Sequence, residues 1–310
     1  MDFSNLPNEM LERMLAVARL YYLEKMSQQA ISEKLNISRS WVSKLLTRAE
    51  ELGMVRIEIV SPFEETRTVE QLLKEKYKAD IHVTTHSSDM DVFTAAIGFL
   101  TAQLRPYDVV AVGAGTSVSR VISMSGSYLF PDVTVVPMAG NYGTNAAVYP
   151  NYNAVRLAEN LHSKVRVIDA PAVCRTQEEY DVLINNPETR QTLQMAEHPD
   201  IMLVGMNTRE WSSKSRYAII PPQETELLVD RKTIGDVTLN YFDEKGQTVT
   251  TPSMSRWMRA DLLQASRHAR TSIGVAIGAQ KANIIHLALS RRLINTLFTN
   301  QETAQALLKV

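Results

Sequence analysis

Apolar residues recur at three- and four-residue intervals near the start of the chain. Met10, Met14, Val17, Ala18, Tyr21 and Tyr22 share one side of a helix expected from about Asn8 to Lys25. A second apolar set, Ile31, Leu35, Ile37, Val42 and Leu45, keeps helical spacing on both sides of a single interruption. This predicts two short helices packed face to face across a tight turn within QQAISEKLNISRSWVSKLL, residues 28–46. Asn36 falls at the turn, where a residue tolerant of positive φ is needed, and Ser32 is small where the helix backbones approach. Ser38 reads as the N-cap of the second helix and Gly53 as the residue just past its end. VRIEIV at 55–60 then alternates apolar with charged positions, as a half-buried strand does, and predicts a wing.

Ser61 and Pro62 break that pattern, and Glu64 to Tyr77 resumes a charged helix whose Val69, Leu72 and Leu73 are placed to face a partner. From Asp80 onward, short β-branched runs alternate with helical stretches: IHVTT, VVAVG, VTVVPMAG, VRVIDAP, DIMLVGM, SIGVAIG and LINTLFTN. Continuous apolar strands of this kind belong to a mostly parallel sheet covered by helices on both faces, with ligands bound beyond the strand C-termini. The expected organisation is therefore α/β, with a winged helix-turn-helix at 1–60, a linker helix at 61–79 and a doubly wound domain at 80–310.

Composition narrows the partners. A length of 310 residues supports two cores, and a net charge of −1 argues against indiscriminate polyanion binding. Residues 1–60 carry 8 Lys+Arg against 8 Asp+Glu, so any affinity for nucleic acid must be local. It is local: between Ser38 and Ala49 the ionisable residues are Arg39, Lys44 and Arg48. A single Cys174 permits no internal disulfide and fits a reducing compartment, the cytoplasm. The opening MDFSNLPNEMLERM has no signal-peptide pattern, and no run approaches the roughly 20 apolar residues of a membrane span. The six histidines show no metal-ligand spacing, and neither a metal nor a cofactor is expected.

Two sets of residues carry chemistry. On the outer face of the second helix, Ser38, Arg39, Ser40, Ser43, Lys44 and Arg48, with Gln28 at the start of the first, are the DNA-reading candidates. Arginine reads guanine bidentately, while serine and lysine serve base edges or phosphates. Trp41 fits either a DNA contact or packing against the first helix. In the second domain, VGAGTSVSRV places Gly113, Gly115, Thr116 and Ser117 at a strand-to-helix turn. Its backbone N–H groups suit a phosphate, although such turns also occur for packing alone. It is neither a Walker loop nor a full dinucleotide fingerprint. Gly140, Asn141, Gly143, Asn207, Gln280 and Lys281 follow other strand ends. A lysine at a helix start opposes the helix dipole, which points to an anion or else to plain solvation. Asp236 is either an acceptor for sugar hydroxyls or a turn residue beside Gly235, with Asp243 and Gly246 as the more evident turn.

With these segments in view, the chain resembles the SorC family of bacterial transcriptional regulators almost end to end. The match rests on VARLYYLEKMSQQAISEKLNISRSWVSKLLTRAEELGMVRIEI, VGAGTSV, the Gly235–Gly246 stretch with its GD and NYFD, AIGAQKANIIHLAL and INTLFTNQETAQALL. The resemblance implies a winged helix-turn-helix joined to a Rossmann-like domain similar to sugar-phosphate isomerases and deaminases. It implies a homo-oligomer, dimer or tetramer, that binds operator DNA and responds to a sugar or sugar phosphate. By the resemblance Gly113, Gly115, Thr116 and Ser117 would hold the phosphate and Asp236 and Lys281 would contact the effector; Asn141, after its strand end, is a further effector-binding candidate from position alone. Ala114 stands where the family commonly has tryptophan, and Val204–Asn207 lacks the usual Gly-Ile-Gly. Beside Gly140 there is no arginine of the kind that serves a bisphosphate. The rival reading is a sugar-phosphate isomerase or deaminase carrying a DNA-binding appendage, although the Asp-Gly-His cluster of the deaminases is absent from the sequence. A third is a second domain that only oligomerises.

Overall fold

A computed structural model describes residues 8–52, 54–55, 62–84, 88–142, 145–209 and 221–310. Gly53, Gly143 and the 56–60 part of the expected wing strand lie outside the described residues. The chain divides into two compact units, Met1–Ser61 and Pro62–Val310.

In the first unit, α1 (Asn8–Ala18) runs into a π-helical turn at Arg19–Leu23. The regular helix expected as far as Lys25 therefore ends early, and Lys25 itself has φ 57°. The pair α2 (Gln28–Leu35) and α3 (Arg39–Glu51) follows. Asn36 takes the left-handed conformation, φ 49° and ψ 48°, which an L-residue with a short polar side chain tolerates best. Ser27 and Ser38 cap the two helices by accepting from the Ala30 and Trp41 amides. Ser32 permits close approach and also ties the turn, donating its hydroxyl to the Ile37 carbonyl. Met14, Val17, Ile31, Val42 and Ala49 are fully buried in a small core. Leu35 is 36% exposed, because α2 stops at this residue and the chain swings away at Asn36. Tyr22 donates to the Glu50 carboxylate, fastening the π-turn to the end of α3, and this partnership pushes the phenol up to about 12.

The second unit opens with α4 (Pro62–Tyr77), whose Leu73 is buried with Ile81 and Val83 of β1 (Asp80–Thr84). There follow α5 (Met90–Gln103), β2 (Val109–Val112), α6 (Thr116–Ser123), β3 (Thr134–Pro137), α7 (Pro150–Leu161) and β4 (Lys164–Val165). Next come α8 (Gln177–Asn185), α9 (Pro187–Glu197), β5 (Ile201–Thr208), α10 (Pro222–Asp230), β6 (Thr233–Val237), β7 (Asn240–Asp243) and β8 (Thr248–Val249). The unit closes with α11 (Leu262–His268), β9 (Thr271–Val275), α12 (Ala282–Ser290), β10 (Thr296–Asn300) and α13 (Gln301–Leu308). Parallel strands run in the order β1, β10, β9, β5, β2, β3, β4.

Period-two alternation feeds two cores. Val110 and Val112 of β2 join residues of α5, α6 and α7 on one face, and Ala111 joins residues of α9, α12 and α13 on the other. The chain reverses its direction of travel across the sheet between β2 and β5, the switch point where doubly wound sheets open a crevice.

In the second unit the structure departs from the sequence expectation in two further places. VRVIDAP yields only the short strand β4, because the side-chain amide of Asn151 takes over both the Ile168 N–H (3.0 Å) and C=O (2.8 Å). Asp236, open between an acceptor and a turn residue, lies instead in an antiparallel extension: β6 pairs with the end of β5 and with β7, and β7 with β8, while the turn expected at Asp243 and Gly246 joins β7 to β8. Asp236 lies within β6, and the β6–β7 hairpin turns at Thr238 and Leu239, both left-handed at φ 48° and 62°.

Candidate functional site

Helix α3 buries Val42, Leu45, Leu46 and Ala49 and leaves Ser38, Arg39, Ser40, Ser43, Lys44 and Arg48 exposed on the remaining face. Most are unencumbered, but Arg48 is ion-paired to Glu51 at 2.9 Å, and the Ser38 and Ser40 hydroxyls touch at 3.0 Å. Trp41 is half-buried and packs against the small core. Gln28 is half-buried at the start of α2. No acidic side chain lies among the exposed residues of α3 until its last turn, so the face is positive along most of its length.

In the second unit the glycine-rich turn sits at the switch point. The Gly113 amide donates to the Leu203 carbonyl of β5 at 2.9 Å, and the buried Asn153 side chain donates to the Gly113 carbonyl at 3.1 Å. A Cβ on Gly113 would stand 3.0 Å from the Thr238 hydroxyl, so a side chain here would crowd the hairpin tip that packs against it. Gly115 differs: its φ of 108° disfavours any side chain, yet a Cβ there would meet no atom within 4 Å. Space for an anion therefore lies beside Gly115, at the start of α6, where Thr116 is exposed and Ser117 half-buried.

Charge concentrates beside this turn. Asp236 is fully buried and its carboxylate accepts from the Leu239 amide at 3.1 Å. Arg259 donates to the Leu239 carbonyl and lies over the Trp257 ring at 5.3 Å. Asp236 and Arg259 thus grip the two polar groups of one peptide residue, holding a Thr-Leu turn whose left-handed geometry costs about 1–2 kcal/mol per residue. Lys281 ends the 3-10 turn leading into α12. Burial pulls both Lys281 and Arg259 below their ordinary values; the Asp236 charge partly restores Lys281, and Tyr241, Asp261 and Asp236 partly restore Arg259. The Asn141 and Asn153 side-chain oxygens are buried without a hydrogen-bond partner, and Asn141 is held by backbone bonds to Ala170 and Ala172.

The structure brings Gly113, Gly115, Asn141, Asp236 and Lys281 to the C-terminal side of the parallel strands, from β2, β3, the β5–β6 extension and β9. Sequence reasoning missed Arg259 and Asn153. The one trace of Arg259 in the sequence is an arginine flanked by apolar Met258 and Ala260, and Asn153 falls on the buried side of α7 with nothing local to mark it.

Comparison with known proteins agrees with this architecture. Residues 61–309 match the family model described as "Putative sugar-binding domain", and residues 8–51 match sigma-70 region 4, a helix-turn-helix module. The deoxyribonucleoside regulator of Bacillus subtilis is 28% identical, over 94% of this chain and 96% of its own length. The sorbitol operon regulator of Klebsiella pneumoniae is 29% identical, over 94% of this chain and 96% of its own. The crystal structure of that full-length regulator, SorC, superposes with a TM-score of 0.73 at 26% identity, covering 97% of this chain and all of the other. From the family match across the second unit and these full-length relatives, the chain belongs to the SorC family of transcriptional regulators, in which a DNA-binding helix-turn-helix is joined to a sugar-binding domain.

Proposed function

We propose that residues 1–60 read operator DNA through Arg39, Ser40, Ser43 and Lys44, with Gln28, Ser38, Trp41 and Arg48 supporting contacts, and that residues 80–310 bind a phosphorylated sugar that switches this reading. In this reading 61–79 connects the two, and the working form is a cytoplasmic homo-oligomer, a dimer or tetramer presenting α3 helices to two half-sites. The phosphate sits at Gly113, Gly115, Thr116 and Ser117, and the sugar reaches Asn141, Asp236 and Lys281.

The observation that carries the phosphate is a pair of half-buried cations beside the switch point, Arg259 and Lys281, each pulled below its ordinary value by burial. Positive charge that is partly desolvated in this way is stabilised by an anionic ligand. Differential affinity of a few kcal/mol for the operator-free arrangement suffices to change operator binding by the same factor.

Thermal denaturation against paired sugars and sugar phosphates tests this reading. Stabilisation by one or more sugar phosphates, absent with the unphosphorylated partner, is expected. Stabilisation by neutral sugars alone would remove the phosphate from the proposal. What speaks for regulation over catalysis is that the full-length relatives are named as regulators. Incubation with the stabilising sugar phosphate should return it unchanged. None of the described helices is long and apolar enough to cross a membrane.

A further inference from the structure

A second cavity lies at the other end of the sheet from the effector crevice. It is bounded by the end of α11, which leads into β9, by the α12–β10 connection, and by the β7–β8 turn. Its volume is about 460 Å³. Phe242 and Leu293, both buried, and Leu263 supply apolar surface, and Arg267, Arg291 and Arg292 supply the charge. None of the residues that line it is acidic.

Arginines at helix C-termini are favoured by the helix dipole, which alone would account for any one of them. Two features go beyond that. Arg292 occupies a left-handed position, φ 55°, just past α12, where glycine or asparagine is the unstrained choice. Arg291 is fixed rather than loose: its Nε and Nη2 donate to the Gly246 carbonyl at 3.1 and 2.9 Å. Gly246 has φ 75°, and a Cβ there would fall 2.9 Å from the Arg291 Nε, so the turn is shaped around this guanidinium. One arginine is thus held in place at the cavity, with Arg292 next to it in the chain and Arg267 of α11 on the same lining.

We propose that this cavity is a second anion site, taking a small metabolite with at least two negative charges, phosphate or carboxylate, on a compact body. Guanidinium groups in a fork geometry favour such groups, and the apolar floor lowers the local dielectric. The site is separate from the effector crevice, so its ligand regulates the protein independently of the sugar phosphate.

Calorimetric titration of the full-length protein with inorganic pyrophosphate and, separately, citrate tests this. One equivalent per chain is expected in the Lys281→Met variant, in which the effector crevice is disabled. Binding should weaken about tenfold or more in a variant carrying Arg267→Gln and Arg292→Gln, with the circular dichroism spectrum unchanged. Preference for pyrophosphate assigns a phosphate ligand and preference for citrate a carboxylate. Three results would overturn the proposal: no heat from either probe in folded protein, binding lost with Lys281→Met but kept in the double arginine variant, or dissociation of the oligomer by Arg267→Glu. The last would make the cavity a contact between copies of this chain.

Discussion

The outer face of α3 and the crevice beside Gly113 are both positively charged, but they are built in opposite ways. On α3 the charged and hydroxyl groups project from a single helix into solvent, and the helix is held by different residues on its other side. In the crevice the charges come from β6, the loop before α11 and the turn before α12; Asp236 is fully buried, Arg259 and Lys281 are half-buried, and the carboxylate acts on both cations. Altering the α3 face should change recognition without touching the fold. In the crevice, binding and folding share the same side chains.

The largest expected break in this comparison is Asp236→Ala. It removes the fully buried carboxylate that acts on half-buried Lys281 and Arg259 and releases the Leu239 amide, so stability should fall by about 3–5 kcal/mol. Chemical denaturation of the second unit's transition measures it, and a loss no larger than that of a surface substitution would place Asp236 outside the charge cluster. Second comes Arg39→Ala with Lys44→Ala. Operator affinity should drop by roughly 1–3 kcal/mol while the melting temperature holds, and sequence-specific gel shifts that survive in folded protein would remove α3 as the reader. Ser38→Ala is smaller, about 1 kcal/mol of stability in the first unit through loss of the N-cap, with operator binding weakened alongside. It tests whether the separation of recognition from folding on α3 is complete, since Ser38 is the one candidate that also caps the helix. The smallest effect is a proton. Burial lowers Lys281, so it discharges at a lower pH than an exposed lysine, and an anionic effector should restore the charge on binding. Effector affinity should therefore weaken toward alkaline pH, and calorimetry in two buffers of different ionisation enthalpy should detect proton uptake that disappears in Lys281→Met.

The same contrast explains what was legible in the sequence. The turn at Asn36 and the cap at Ser38 are local events governed by residues within four positions, and the sequence states them directly. Leu35 misleads because spacing alone does not reveal that the helix ends there. The parallel direction of the strands follows from the α/β rhythm, but the β6–β7 hairpin does not. Its turn is Thr-Leu rather than the Asn-Gly or Gly-containing pairs that mark such hairpins, and it is braced by Asp236 three positions back and by Arg259 far along the chain. Arg259 was invisible for the same reason: its partner Leu239 lies 20 positions away. Gly113 was read as making room for a phosphate, and the structure adds the Thr238 hydroxyl as a packing reason of its own.

The clamped Thr238–Leu239 turn has a consequence for how such a regulator can diversify. Asp236 and Arg259 each serve a strained backbone as well as the charge of the crevice, so replacing either to suit a new effector also frees a turn that has no conformational preference of its own. Asn141, whose buried side-chain oxygen lacks a partner, and exposed Thr116 carry no such double duty, whereas Asn153 also holds the Gly113 carbonyl. Substitution should therefore cost the fold least at Asn141 and Thr116 and most at the clamp, which leaves this chain one tolerant wall and one rigid one.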